Sequence, residues 1–257
     1  MSNLVDDLGE PVPLAGPPER VVSLVPSLTE AVEVSAPGRL VGATDYCTHP
    51  SDLDVSRVGG SKYPKIDDVL ALEPDLVLAN SEENRPEDVQ RLRANGIPVF
   101  VMEAAASVPA ALGSLRRLLT QVYALDEPAW LVTAEELWRT TAPIRFRAVI
   151  PVWRKPWIVL GRDTFAGDVL RRVGVANAYA DADDRYPRPP LEELRAARAD
   201  VVVLPDEPYE FTTDDGPGFF PGFRPLLVSG RHLTWYGPSL VEAHAALTEA
   251  IATRSER

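Results

Sequence analysis

Three side chains capable of metal binding or nucleophilic chemistry stand close together in the sequence DYCTHP: Asp45, Cys47 and His49. A thiolate and an imidazole suit zinc or cobalt, and residues two apart on an extended segment point to the same side. Two interpretations therefore remain for these residues, a metal site and a cysteine nucleophile with a histidine base. Nucleophilic catalysis also needs an oxyanion hole and a residue that orients the base. No motif marks either, so no catalytic residue is predicted.

A larger set of aromatic, charged and hydroxyl-bearing residues lies where strands are expected to end, in loops of the kind that carry function in α/β proteins. The candidate ligand-binding residues are Ser27, Tyr46, Cys47, His49, Lys62, Tyr63, Glu83 and Arg85 in the first half, and Trp153, Arg154, Trp157, Phe165, Glu207, Tyr209, Trp235 and Tyr236 in the second. Aromatic residues make up only 7% of the chain. Their concentration here predicts a surface for a flat, partly apolar ligand, because aromatic rings bury a large area while Tyr O–H and Trp N–H still hydrogen-bond.

Each of these aromatic side chains, taken alone, is more typical of a hydrophobic core. Tyr46, Trp153 and Tyr236 are the exceptions, because they stand beside polar residues, glycine or proline instead of inside aliphatic runs. Arg85 suits a carboxylate or phosphate group, although Pro86 at the start of a helix explains the same segment without a ligand.

The elements that position these residues follow a pattern that occurs twice. Residues 65–80 (KIDDVLALEPDLVLAN) and 190–207 (PLEELRAARADVVVLPDE) each contain an acid pair, apolar residues at helical spacing and an uninterrupted aliphatic run. Each copy predicts a helix, a short turn and a buried strand. The inward-facing helix residues are expected to be Ile66, Val69, Leu70 and Leu72 in the first copy, and Leu191 and Leu194 in the second. The strands, 76–78 and 201–204, have the composition of parallel strands covered on both faces.

Further strands and helices are expected upstream of both copies. Residues 20–24 predict a strand, and Ser27 with Glu30 predicts a capping box at the start of the next helix. In the second half, 147–152 and 157–160 predict strands, and Asp163 or Thr164 opens a helix. The fold class predicted is α/β, with two similar parallel-sheet lobes at residues 1–106 and 146–257.

Residues 107–145 connect the two lobes and are predicted to be helical. Ser107 is a candidate N-cap, and a second helix is expected to begin at Asp126 or Glu127 beside Pro128. The apolar residues at helical spacing are Leu112, Leu115, Leu118, Val122, Leu131, Leu137 and Trp138. A continuous helix over 127–142 would be about 24 Å long. This long helix predicts lobes held nearly rigid.

Charge and composition exclude several classes of partner. The net charge is −12 and no cluster of Lys or Arg is interleaved with aromatic residues, so nucleic acid is not expected. No apolar stretch approaches the roughly twenty residues of a membrane helix, and no Walker or Gly-x-Gly-x-x-Gly motif indicates a nucleotide. The first residues lack the features of a secretory signal, and the single cysteine forbids an internal disulfide. Cytoplasmic residence is therefore expected, or a periplasmic location if a leader has been removed.

The order of RVVSLVPSLTE, LVGATDYCTHP, RVGGSKYPKIDDVLALEPDLVLA, GIPVFV and GRDTFAGDVLRRVG resembles the helical-backbone metal-receptor superfamily, the class III substrate-binding proteins of ABC importers. Within it, the sequence is most similar to the vitamin B12 (cobalamin) binding proteins. The resemblance implies a non-catalytic protein that binds a corrinoid in a cleft between the lobes, at the carboxyl ends of the strands. An iron siderophore or haem is the alternative ligand.

The resemblance also implies roles for particular residues and partners. The chelate would be a ligand, with no resident cofactor required. His49 is a candidate axial ligand of a corrin cobalt, although a histidine before proline in a loop is more typical of a turn residue. Asp68 and Glu192, in the two acid pairs, resemble the acids that dock such proteins on an ABC permease, although acids at a helix N-terminus are also explained by the helix dipole. A bare metal ion is disfavoured, because the superfamily's metal receptors use several histidines and this chain has three.

Two other functions stay open at this point. One is a metal-dependent enzyme that uses Asp45, Cys47 and His49, with Asp206 or Glu207. The other is an interaction module whose cleft is filled by its own side chains, such as those of FFPGFRP at 219–225.

Overall fold

The computed structural model describes residues 4–252, and the chain divides into two compact units. Unit 1 comprises Met1–Ala104, Leu112–Val132 and Tyr236–Pro238. Unit 2 comprises Ala105–Ala111, Thr133–Trp235 and Ser239–Arg257. Each unit contains its own parallel sheet.

Unit 1 is built on a five-stranded parallel sheet. Its strands are β1 (Val21–Ser23), β2 (Leu40–Ala43), β3 (Ser56–Arg57), β4 (Leu76–Asn80) and β5 (Val99–Met102), in the order β3-β2-β1-β4-β5. The helices between them are α1 (Pro26–Ser35), α2 (Ile66–Ala71) and α3 (Pro86–Ala94). Val21 in the central strand lies opposite Leu40 on one side and Leu76 on the other.

The predicted helix, turn and strand in the first repeat are confirmed. Ile66 and Val69 are buried, and Leu70 and Leu72 pack against the same core cluster as the aliphatic residues of β4. All five residues of β4 are buried, as expected for a strand with helices on both faces of its sheet.

The predicted capping box at Ser27 and Glu30 is wrong. Helix α1 begins two residues earlier than predicted, at Pro26, and its N-cap is Val25, which makes no side-chain cap hydrogen bond. Proline suits this first position because its ring sets a helical φ and its missing N–H would have no intrahelical partner. Ser27 and Glu30 consequently lie within the helix, where both are buried.

Unit 2 contains a four-stranded parallel sheet and a small hairpin. The strands are β6 (Phe146–Val149), β7 (Pro151–Trp153), β8 (Ile158–Val159), β9 (Val175–Asn177), β10 (Val201–Pro205) and β11 (Arg224–Val228). The parallel order is β11-β10-β6-β9, and β7 pairs with β8 antiparallel. The helices are α6 (Phe165–Arg172), α7 (Leu191–Ala196), α8 (Gly230–Thr234) and α9 (Ser239–Ala252). The predicted α/β class with parallel sheets is thereby confirmed.

The connecting segment is helical but contains no long helix. It forms α4 (Val108–Arg117), a π-helical turn (Leu118–Val122) and α5 (Ala129–Trp138). Ser107 caps α4 as predicted, its Oγ accepting a hydrogen bond from the Ala110 amide at 3.3 Å. Among residues 4–252 no helix has both the length and the apolarity needed to cross a membrane.

The predicted continuous helix over 127–142 is wrong, because α5 ends at Trp138 and is about 15 Å long. The Trp138 carbonyl accepts a hydrogen bond from the Arg172 guanidinium. The Ala142 amide donates to the Arg172 carbonyl at 2.8 Å. These bonds to the end of α6 replace the helical bonds that would have continued α5.

Candidate ligand-binding surfaces

In unit 1 the loops that carry candidate residues follow strands of one parallel sheet, so they meet at its carboxyl edge, where open α/β sheets bind ligands. We call the surface formed there by Tyr46, Lys62, Tyr63, Glu83 and Arg85 the unit 1 face. Tyr46 follows β2 and is 65% exposed, and Tyr63 follows β3 and is 66% exposed. Both rings are therefore accessible for contact with another molecule.

Contacts within the unit 1 face hold its rings in place. The Arg85 guanidinium lies 4.8 Å from the centroid of the Tyr63 ring, and it binds the Asp88 carboxylate through two hydrogen bonds of 2.8 and 3.0 Å. A side-chain carbon added at Gly60 would lie 3.3 Å from the Tyr46 ring. The absence of a side chain at Gly60 thus lets the Tyr46 ring lie against the loop that carries Tyr63.

Beneath this face is a buried hydrogen-bond network that joins three parts of the chain. The Asn84 side chain accepts from the Asn80 amide and donates to the Ser61 carbonyl, both at 2.8 Å. The Asn80 side chain donates to the Tyr236 hydroxyl at 2.8 Å. Burial, together with the nearby Glu83 carboxylate, raises the pKa of Tyr236, so its phenol stays protonated. Tyr236 therefore supports the loops from below, and the Asn80 and Asn84 side chains position them.

Cys47 and Ser27 lie inside unit 1 and do not reach its face. The Cys47 side chain is fully buried, and its sulfur accepts a hydrogen bond from the Thr29 hydroxyl at 3.0 Å. Burial raises the pKa of the Cys47 thiol, which disfavours the thiolate that binds metals. His49 is half-buried, with Nδ1 3.1 Å from the Thr48 hydroxyl. Within residues 4–252 no group of three or more His, Cys, Asp or Glu side chains has a metal-binding arrangement.

Unit 2 presents one exposed tryptophan beside a strand-end loop. Trp153, at the end of β7, is 41% exposed, and its ring makes an edge contact with Tyr209 at 5.6 Å. The Arg154 side chain donates to the Tyr209 hydroxyl at 3.1 Å and pairs with Asp215 at 3.1 Å. The Tyr209 hydroxyl in turn donates to Asp215 at 2.6 Å. Trp153, Arg154 and Tyr209 form what we call the unit 2 face.

The other aromatic candidates of unit 2 belong to its core. The Trp157 ring stacks on Phe211 with centroids 6.2 Å apart and also contacts Phe219 and Phe220. Phe165 and Trp235 are buried. The segment 219–225 thus supplies rings to the core of unit 2, which gives its aromatic residues a structural role.

Glu207, directly after β10, is a carboxylate in a partly buried position. It accepts a hydrogen bond from Trp235 and lies beside Asp206; burial first, and then the Asp206 charge, raises its pKa. Gly230 is required here, since an added side-chain carbon would lie 2.2 Å from Glu207 Cγ.

A raised carboxyl pKa in the folded state means that folding favours the protonated acid. Below the ordinary Glu pKa of about 4.3, ionisation of Glu207 does not change the free energy of unfolding. As pH rises from there through the raised pKa, the folded state loses stability. We expect Glu207→Gln to remove this loss, so that the variant gains stability relative to the parent between pH 4 and pH 7. Urea unfolding at several pH values measures the free energy of unfolding of the parent and the variant. A difference between them that does not vary with pH would contradict the raised pKa of Glu207.

The two acids considered for docking are exposed in the first turns of their helices, Asp68 in α2 and Glu192 in α7. Asp68 lies 4.0 Å from the Lys65 ammonium, and Glu192 lies 3.4 Å from the Arg195 guanidinium. Both acids are therefore accessible, and their docking role stays a prediction.

These two units, with loops of aromatic and charged residues at the carboxyl edges of parallel sheets, have the fold of the helical-backbone metal-receptor superfamily. The solved periplasmic vitamin B12 binding protein of Vibrio cholerae matches with a TM-score of 0.71 and 20% identity over 94% of this chain and 99% of that one. A periplasmic haem binding protein from Pseudomonas aeruginosa matches with a TM-score of 0.73 and 25% identity over 91% and 92%.

Sequence comparison points to the same class of protein. The chain is 27% identical over 195 residues to the vitamin B12-binding protein of Vibrio cholerae, covering 72% of this chain and 70% of that one. No family model matches the sequence. The predicted resemblance to vitamin B12-binding proteins is confirmed, and these relatives are named as binding proteins, not as enzymes.

The expectation of a cytoplasmic location is contradicted, since the matching solved structures are periplasmic binding proteins. That expectation depended on the first residues of the chain. A leader that directs export is cleaved from the mature protein. The region shared with these relatives therefore carries no information on the presence of a leader.

Proposed function

We propose that this protein binds a corrinoid, or a closely related metal chelate, through exposed aromatic side chains and without covalent chemistry. One observation carries the proposal. Among residues 4–252, the aromatic side chains with more than a third of their surface exposed are Tyr46, Tyr63, Trp153 and Tyr186. Tyr46, Tyr63 and Tyr186 lie in loops that follow strands of the parallel sheets, where ligands of α/β proteins bind. Trp153 ends β7, the strand of the antiparallel hairpin that follows β6.

Exposed rings at this edge suit a large, flat ligand. A tyrosine or tryptophan ring buries apolar area against a macrocycle while its polar atom stays available for peripheral amide groups. The buried network of Asn80, Asn84 and Tyr236 holds the loops of the unit 1 face before any ligand arrives, which lowers the entropy cost of binding. The names of the sequence relatives support cobalamin as the first candidate.

Haem is the second candidate, because several of the matching solved structures are haem binding proteins. A flat porphyrin would contact the same exposed rings. His49 or the Tyr46 hydroxyl would then be a candidate for the iron, since an axial ligand has to reach the metal at the face of the ring.

Delivery to an ABC permease is the partner role that accompanies this proposal. Asp68 and Glu192 are exposed on equivalent helices of the two units, so both are available to arginines of a membrane partner. Their local pairs with Lys65 and Arg195 are surface pairs of the kind that contribute little to stability, and exchanging them for pairs with a permease would cost little.

Titration with three chelates tests the ligand assignment. Purified protein is mixed with cyanocobalamin, haemin or a ferric siderophore, and heat and visible absorbance are recorded. We expect one cobalamin per chain, with a dissociation constant of about 1 μM or tighter. Tighter binding of haemin would transfer the assignment to haem, and no response to any of the three would refute the proposal.

A further inference from the structure

The amino edge of the parallel sheet of unit 2 is lined by exposed arginines. They lie at the starts of β6 and β11, in the last turn of α6 and in the turn before β10, and we call them the basic edge: Arg145, Arg147, Arg171, Arg198 and Arg224. The sheet has four strands, and strands are spaced about 4.8 Å apart, so its edge is about 14 Å wide. A concentration of positive charge therefore lies on a chain whose net charge is −12.

Two residues of this edge, Asp200 and Gly174, bring the arginines together. The Asp200 carboxylate accepts a hydrogen bond from the Arg147 amide at 2.8 Å, and the Asp200 carbonyl accepts one from the Arg224 amide at 3.2 Å. The Gly174 carbonyl, in the turn after α6, accepts from the Arg145 amide at 2.8 Å. The basic edge is therefore one continuous surface that extends along the sheet.

Carboxylates do not neutralise most of this charge. Within residues 4–252, four of these arginines form no ion pair: Arg145, Arg147, Arg171 and Arg198. Two of their guanidinium groups donate to backbone carbonyls, at 3.0 Å from Arg147 and at 3.3 Å from Arg171. A carbonyl orients a guanidinium but does not cancel its charge. The basic edge therefore attracts anions within about a Debye length, roughly 8 Å in physiological salt.

An exposed aliphatic side chain lies at the same edge. Ile144 directly precedes Arg145 and is 44% exposed. Arginines beside an exposed aliphatic side chain suit the surface of an anionic membrane, where guanidinium groups meet lipid phosphates and the apolar group enters the acyl boundary. A single-stranded nucleic acid would also need exposed rings on which its bases stack. Phe146, at the start of β6, is instead covered by the Arg224 guanidinium at 4.8 Å from the ring centroid.

We propose that the basic edge is a docking surface for an anionic membrane, such as one that contains phosphatidylglycerol. The arginines bind the lipid phosphates, and Ile144 enters the interface. The net charge of −12 repels such a membrane from the rest of the protein surface, so the protein binds through this edge in one orientation. The carboxyl edge of the same sheet then faces away from the lipid.

Sedimentation with lipid vesicles tests the proposal. The full chain is mixed with vesicles of phosphatidylcholine, with or without phosphatidylglycerol, and the bound fraction is measured. We expect binding to the anionic vesicles alone, and a loss of binding as the salt concentration rises. The double variant Arg145→Gln, Arg198→Gln should lower the partition coefficient about 25-fold, because each arginine near a membrane surface contributes about a factor of five. Ile144→Ser should lower it about fivefold, because its exposed part no longer enters the lipid.

The matched control is the double variant Arg162→Gln, Arg188→Gln, which changes the net charge by the same amount. These exposed arginines lie in the loops after β8 and β9, at the carboxyl edge, so their loss should change the partition coefficient by about a factor of two or less. Equal losses in the two double variants would overturn the proposal, since net charge alone would then explain the binding.

Equal binding of the parent protein to both kinds of vesicle would also overturn the proposal. An unchanged partition coefficient in Ile144→Ser would do so as well, because it would indicate a surface for polyanions in general, such as nucleic acid. Cobalamin affinity should be the same in the parent and in the variant that lacks Arg145 and Arg198. The membrane proposal and the ligand assignment can therefore fail separately.

Discussion

Replacing both Tyr46 and Tyr63 by alanine is expected to weaken cobalamin binding about a hundredfold. Each ring is about two-thirds exposed on the unit 1 face, and truncation of an aromatic contact of this kind costs about 1.4 kcal/mol, or a factor of ten. Isothermal titration calorimetry measures the loss. Because the rings contribute little to the core of unit 1, the urea midpoint of the double variant should stay close to that of the parent.

The matched control is Trp130→Ala. Trp130 is another partly exposed aromatic residue of unit 1, and its indole N–H donates to the Ser35 hydroxyl at 3.0 Å. Ser35 ends α1, so this pair lies at the amino edge of the sheet, away from the proposed ligand. Its loss should leave cobalamin affinity unchanged. A double tyrosine variant that binds as tightly as Trp130→Ala would show that the exposed tyrosines do not contact the ligand.

The second large effect concerns stability. Asp6→Ala is expected to lower the free energy of unfolding by about 3 to 5 kcal/mol. The Asp6 side chain is fully buried and pairs with Arg93 at 2.6 Å. It also accepts hydrogen bonds from the Leu8 and Glu10 amides, both at 2.9 Å, and from the Val101 amide at 3.3 Å. Its removal takes this acceptor from one charge and three amides, and urea unfolding followed by circular dichroism measures the cost.

Asp67→Ala provides the comparison for this prediction. Asp67 and Arg91 form an ion pair of the same kind as Asp6 and Arg93, a carboxylate with a guanidinium, but on the surface. The Asp67 side chain is 81% exposed, and a solvent-exposed pair contributes about 1 kcal/mol or less. Equal losses in the two variants would mean that burial of the Asp6 pair does not determine its contribution.

The candidate site was only partly predictable from sequence. Strand ends and the loops after them could be identified, and they do carry the exposed rings of Tyr46, Tyr63 and Trp153. Polar, glycine or proline neighbours distinguished Tyr46 and Trp153 from Trp157, which stacks on Phe211 and makes an edge contact with Phe220. The same signal also selected Tyr236, which is buried. Burial depends on residues brought together by folding, and no local pattern encodes it.

Asn80 and Tyr236 show the same limit at longer range. They are 156 positions apart in the chain and form one 2.8 Å hydrogen bond. A conserved spacing or short motif cannot reveal such a pair, because only the path of the chain through unit 1 brings Asn80 to Tyr236.

The sequence by itself determined the α/β class, the repeated order of helix and strand, and the loops that are proposed to bind a ligand. These features follow from apolar periodicity and turn residues, which act over a few neighbouring positions. The tertiary structure alone decided that Cys47 is an interior thiol bonded to Thr29, that α5 ends at Trp138, and that Tyr236 is buried beneath the unit 1 face. Each of these depends on which distant groups compete for a hydrogen bond or a place in the core, and that competition is settled only when the whole chain has packed.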